Sequence, residues 1–235
     1  MQVAITSPQG DVRWPAGSSH ALCATGSDMD WDPDLNGGQG GEIEDSLTYS
    51  WGHSGGYGTF TDDTGASAAY ICSSSGGDTD TVSVTADDED GGSNTAYADD
   101  EPAAQASILV TSVGIADLLK VVGENTVSVA GQTLYVAEGT EITFRAAPSP
   151  SGDWPDGKPT WTGTTFIGAG NDEKTVTFST GGTYTVVVDC GASSKTVTVK
   201  VYGVSITGPA WLKAGRTIPY TFEAEVRGPS GVSGT

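Results

Sequence analysis

Apolar residues in this chain fall on alternate positions within short runs, and glycine-rich polar stretches separate the runs. Thr81-Val82-Ser83-Val84-Thr85-Ala86 and Thr183-Tyr184-Thr185-Val186-Val187-Val188 are the clearest instances. A period of two over so few residues marks a strand with one buried and one wet face. Strands are therefore expected at 20–25, 47–51, 68–72, 81–86 and 107–113, and again at 141–146, 158–161, 174–178, 183–188 and 195–201. Each series opens with a turn built around a glycine. The segments Trp14-Pro15-Ala16-Gly17, Val136-Ala137-Glu138-Gly139 and Leu212-Lys213-Ala214-Gly215 stand at corresponding places. After the first two, the same order of features follows: a strand ending in Trp51 or Trp161, a glycine-rich excursion, and three further strands.

That repetition predicts an all-β chain of tandem immunoglobulin-like β-sandwiches. The expected modules are residues 1–113, an acidic sandwich; 114–125, a linker; 126–203, a second sandwich; and 204–235, the start of a third module. The linker contains Ile115-Ala116-Asp117-Leu118-Leu119-Lys120-Val121, which suits either a helical turn or a strand. The third module has only two strands in this sequence, so the chain is expected to be a stretch of a longer array. Composition agrees with strands and turns: 34 glycines stand against two methionines, and charged residues make up 17%. No run of about 18 apolar residues is present, so membrane insertion is not expected.

The segments Gly182-Thr183-Tyr184-Thr185-Val186-Val187-Val188, Thr48-Tyr49-Ser50-Trp51 and Val82-Ser83-Val84-Thr85-Ala86-Asp87-Asp88-Glu89-Asp90-Gly91-Gly92 resemble PKD-type and related bacterial immunoglobulin-like domains of surface or secreted proteins. The resemblance covers most of residues 1–203. It implies sandwich folds, a core Trp at 51 and 161, a Tyr at the start of the penultimate strand, and acidic loops that often bind calcium. It also implies extracellular adhesive, spacer or carbohydrate-associated roles. Asp80 departs from the pattern, standing where the first module should carry the counterpart of Tyr184.

The net charge of −20 argues against nucleic acid as a partner, since such binding rests on Lys and Arg neutralising phosphates. The excess is local: residues 1–115 hold 19 acids against Arg13 alone, while residues 116–235 hold 11 acids and nine bases. Asp28, Asp30, Asp32 and Asp34 follow the second strand, and Asp87, Asp88, Glu89 and Asp90 follow the penultimate one. In this sandwich topology the two connections share an end. Close carboxylates repel by about 1 kcal/mol per pair at 4 Å even in water, and a hard cation with oxygen ligands relieves that cost. Calcium is the expected ion, held by Asp28, Asp30, Asp32, Asp34, Asp87, Asp88 and Asp90. Glu42, Glu44 and Asp45 are either part of this site or plain surface. The Asp-x-Asp-x-Asp spacing is not an EF-hand, because Pro33 and Gln39 occupy the positions that need Gly and Glu.

Three cysteines without a Cys-x-x-Cys pair or a Cys/His cluster argue against zinc. Aligning the repeats turns Cys23 and Cys72 outward on neighbouring strands, so a Cys23–Cys72 disulfide is expected in an oxidising compartment. Cys190 shares the parity of Val186 and Val188 and is expected to be a lone, partly buried thiol. Gly52-His53-Ser54-Gly55-Gly56 matches the nucleophile elbow of hydrolases, which must run from a strand into a helix. A glycine-rich strand pattern follows instead, and His20, the only other histidine, is expected inward on the second strand. The chain is therefore expected to be no enzyme. The function expected is a structural or adhesive module array at the cell surface or outside the cell, with other protein modules or surface glycans as partners. An accessory module of a secreted glycan-degrading enzyme and a virion decoration module are the alternatives.

Overall fold

The computed structural model describes residues 2–27, 29–32, 41–44, 47–87, 103–168, 170–209 and 221–229, the segments 29–32 and 41–44 in backbone only. The chain divides into two compact units, residues 1–114 with 191–193, and residues 115–190 with 194–235. Every regular element described is a β-strand. The architecture is immunoglobulin-like, two sheets with a core between them in each unit.

In the first unit, β1 (Gln2–Ser7), β3 (Ser19–Ser27), β8 (Ser67–Ile71) and β7 (Thr59–Asp62) form one sheet in the order β1-β3-β8-β7. The other contains β2 (Val12–Pro15), β6 (Thr48–His53), β9 (Thr79–Asp87) and the first part of β10 (Ala104–Val122). The alternating sides of these strands meet in the middle. Leu22 and Ala24 of β3 and Tyr70 of β8 pack with Trp51 of β6, Val82 and Val84 of β9 and Val110 of β10. Fully burying a Val, Leu or aromatic side chain contributes about 1.5–3 kcal/mol each, which is what holds the two sheets face to face. A further hairpin, β4 (Met29–Asp32) with β5 (Gly41–Glu44), occupies part of the connection before β6.

The second unit repeats the plan. The rest of β10, β13 (Thr140–Ser149) and β15 (Glu173–Phe178) form one sheet, to which β11 (Asn125–Ser128) adds a hairpin strand. The facing sheet runs β12 (Thr133–Ala137), β17 (Ser193–Thr207), β16 (Gly182–Cys190), β14 (Thr160–Thr162). Phe144 and Phe178 from one sheet and Val186, Val188, Val197 and Val199 from the other are at most 1% exposed. Last in order, β18 (Glu223–Arg227) pairs with the end of β17. The turn glycines Gly17 and Gly139 have φ of 69° and 82°, a backbone shape that a side chain disfavours; Gly215 lies outside the described residues. The segment 114–125, open between helical turn and strand, is strand through Val122.

Trp51 is 4% exposed, as a core residue should be. The Cys23–Cys72 pairing is overturned. Cys23 lies opposite Ser67, whereas the Cys72 amide donates to the Ser18 carbonyl at 3.0 Å. Ser18 and Cys23 are five residues apart, about 17 Å along a strand, and a disulfide needs Cα atoms within about 7 Å. The two cysteines also use different faces: Cys23 is half-exposed, and Cys72, at 4%, sits in the core beside Tyr70. Repeat alignment put Tyr70 and Cys72 outward, and a one-residue shift of register turns every side chain over. Burial pushes the Cys72 thiol up to about 11; the nearby Asp80 charge adds to this, and a hydrogen bond with Ser18 offsets part of it. Cys190 is fully buried. Thiol titration of the folded protein should therefore detect Cys23 alone, and titration in denaturant should detect all three; a count of one in denaturant would restore the disulfide.

Candidate functional site

Asp80 stands near the start of β9, on the same inward parity as Val82, Val84 and Ala86, and is 2% exposed. A carboxylate in that position must find donors or lose its charge. Three are in place. The Tyr70 hydroxyl donates to Asp80 Oδ2, the Gly58 amide donates to the same oxygen at 2.8 Å, and the Tyr57 amide donates to Oδ1 at 3.4 Å. His53 Nδ1 lies 3.4 Å from Oδ2, yet it is a buried nitrogen with no hydrogen-bond partner, because the pair is close without being aligned. The His53 ring also meets Phe60 and Tyr70 at centroid distances of 5.8 and 5.9 Å.

The loop between β6 and β7 wraps this carboxylate, which accounts for two of its glycines. A Cβ on Gly55 would run into Asp80 Oδ1, and one on Gly58 would run into the Tyr70 hydroxyl. Below Asp80, Ser73 Oγ donates to Asp78 Oδ2 at 2.5 Å and Ser112 Oγ donates to the Ser73 carbonyl at 2.7 Å. The gap lined by Tyr57, Tyr70, Asp78 and Asp80 is too tight for a water molecule. The arrangement is a closed polar clamp with no room for a substrate.

Burial by itself would raise the Asp80 carboxyl, but the Tyr70 hydroxyl, the two amides and His53 outweigh it and hold the group below its ordinary value of 3.8. Burial first, then the Asp80 hydrogen bond and charge, push Tyr70 up. The second unit handles the same corner differently. There Tyr184, at the matching place in β16, donates its hydroxyl to the Thr180 carbonyl at 2.9 Å and packs on Phe178. The departure noted at Asp80 is thus a swap: in the first unit the strand supplies the acceptor, and its neighbour β8 supplies the tyrosine.

Ser54 sits at an exposed turn followed by β7, a strand where an elbow requires a helix. His53 packs its ring against Phe60 and Tyr70 beside Asp80. His20 stacks on Trp14 at 3.9 Å and 9° and bonds Ser18 Oγ at 2.8 Å, its own basicity lowered by burial. Of the residues expected to hold calcium, Asp87 ends β9 and is exposed. Asp30 and Asp32 lie in β4, opposite Ile43 and Gly41. Asp28, Asp34, Asp88 and Asp90 lie outside the described residues. Among the described residues, no three His, Cys, Asp or Glu side chains gather as metal ligands. Sequence reasoning missed the clamp, although its signal was present: an acid on an inward position beside valines, with an unexplained run of glycines elsewhere.

No protein-family model matches the sequence, and no curated protein matches it. Similar solved structures are immunoglobulin-like and fibronectin-like modules. Domains 4 and 5 of the S-layer protein SbsC are 13% identical over 86% of this chain and 98% of that one, with a TM-score of 0.33. The fibronectin(III)-like modules of Clostridium thermocellum CbhA are 13% identical over 84% and 93%, TM-score 0.26. Extracellular domains 3–5 of Drosophila OTK are 10% identical over 97% and 75%, TM-score 0.26. These likenesses concern the fold.

A folded-state pKa held below the unfolded one stabilises above the unfolded value and is lost as pH falls through the folded value. The first unit should therefore melt at a falling temperature as pH drops below about 4, and Asp80→Asn should remove that contribution. Tyr70→Phe, which deletes one bond to a charged acceptor, should cost about 1.5–3 kcal/mol. Wild-type and Asp80→Asn proteins with the same melting profile between pH 5 and pH 2 would show that the clamp contributes nothing.

Proposed function

We propose that this chain is a non-catalytic run of spacer modules in an extracellular or cell-surface protein, carrying tension along the polypeptide. One observation supports this above the others. In each unit an early strand pairs in parallel with the last strand: Val12–Pro15 of β2 against Val110–Val113 of β10, and Thr133–Ala137 of β12 against Thr198–Tyr202 of β17. When the two ends of a module are drawn apart, such a pair is sheared, and its hydrogen bonds are loaded together instead of one after another.

The chain also passes from sandwich to sandwich inside single strands. β10 ends the sheet with β9 and begins the sheet with β13, and Gly114-Ile115 within it reappears as Gly203-Val204 within β17. Ile115 is 4% exposed in the core of the second unit, whereas Val204 and Ile206 are 62% and 68% exposed. A two-stranded ribbon with an open apolar face is marginal alone, so β17 and β18 are read as the first strands of a third module. The filled clamp beneath the Gly-x-Ser-x-Gly stretch supports the non-catalytic reading.

Single-molecule pulling tests the reading. The second unit should resist a higher force when drawn through the chain ends than when drawn through Gln132→Cys and Thr196→Cys, placed at the same end of β12 and β17, where the pair unzips. Equal forces in the two directions sink the tension-bearing role. The acidic connections of the first module are proposed to bind calcium. With affinity in the roughly 0.1–1 mM range of extracellular modules, calcium at ten times its dissociation constant should add about 1.4 kcal/mol. Melting should rise in calcium and fall in chelator, and Asp32→Asn with Asp88→Asn should erase the difference; equal melting temperatures in saturating calcium and chelator would leave the acids as plain surface.

A further inference from the structure

The outer face of the second unit's β12–β17 pair carries two aromatic rings that the core does not use. Tyr135, on edge strand β12, is 67% exposed, and Tyr202 of β17 lies beside it with ring centroids 6.4 Å apart and planes 23° from parallel. Lys200, directly across from Tyr135, holds its ammonium 5.8 Å from that ring's centroid. Thr133 and Thr198 face each other one step along the same side of the pair, two residues before Tyr135 and Lys200. The opposite parity of β17 is Val197, Val199 and Val201, none more than 1% exposed, so the rings rest on a packed sheet.

We propose that Tyr135, Lys200 and Tyr202 form a binding platform for an uncharged polysaccharide. The exposed Tyr135 ring, with the half-buried Tyr202 ring nearly parallel beside it, offers stacking surface to the apolar C–H faces of pyranose units. The Lys200 ammonium and the Thr133 hydroxyl supply donors to the sugar hydroxyls around those faces, the mix of apolar contact and few polar groups that a ligand site needs. Charge selects the class. Lys200 at the centre of the patch disfavours a cationic partner, and the near-even balance of residues 116–235, 11 acids against nine bases, supplies no basic field to draw a polyanion. A diagonal aromatic pair also strengthens a sheet, but that role does not call for a ring left two-thirds in water beside a cation. This inference is independent of the tension-bearing role and of calcium.

The test is retention of the whole chain on insoluble cellulose and chitin and in gels containing xylan, with polygalacturonate as the anionic arm. Retention on at least one neutral polysaccharide is expected. Tyr135→Ala and Tyr202→Ala should each weaken it about tenfold or more, as loss of an aromatic anchor does. Lys200→Gln should weaken it less, and the melting temperatures of all three variants should stay near that of the wild type, which separates lost binding from lost folding. Retention on polygalacturonate alone, no retention on any of the four, or retention unchanged by Tyr135→Ala in a folded variant would each overturn the platform.

Discussion

A strand with alternating apolar and polar residues can bury one face only, and that face needs a second sheet to bury it against. Each unit follows from this constraint. Leu22, Tyr70 and Trp51 in the first, and Phe144, Phe178 and Val188 in the second, are the positions where two sheets close on each other. Loops, turns and edges are arranged around that closure. The parallel pairs β2–β10 and β12–β17 let an early strand cross over to the sheet that contains the last strand. The same crossover sets that early strand beside the strand that closes the sandwich.

The two units show how one fold tolerates different chemistry at the same corner. In the second, a tyrosine hydroxyl reaches a backbone carbonyl and the corner is neutral. In the first, a buried carboxylate takes the tyrosine's place and draws in a hydroxyl from β8 and two amides from the loop before β7. A buried charge is tolerated only when its lone pairs are satisfied. This requirement explains two of the glycines in residues 52–58: side chains at Gly55 and Gly58 would displace the groups that satisfy Asp80. The likeness to a nucleophile elbow is a by-product of that wrapping.

Exposed features divide along similar lines. Val204 repeats the position of Ile115, which is 4% exposed, yet Val204 itself is 62% exposed. Tyr135 and Tyr202 have a filled core behind them and project from a finished sandwich.

The all-β class, the strands with the clearest alternation such as 20–25, 81–86 and 183–188, the turn glycines at 17 and 139 and the core role of Trp51 were legible in the sequence, because period-two alternation and glycine turns are local properties of the chain. Face assignment within a strand was less secure. Tyr70 and Cys72 turn inward because Tyr70 reaches Asp80, ten residues on and in the opposite sheet, and no local pattern encodes a partner across the core. The Cys23–Cys72 pairing failed for the same reason, since register between β3 and β8 depends on which side chains the core accepts. The nearness of Tyr135, Lys200 and Tyr202 was likewise hidden, as parallel pairing joins segments more than sixty residues apart. The sequence alone determined the all-β class and the core strands with the clearest alternation; tertiary structure decided the edge strands such as β1, β2 and β12, which face of each strand lies inside and which distant side chains meet, because these are set by packing between sheets rather than by neighbours along the chain.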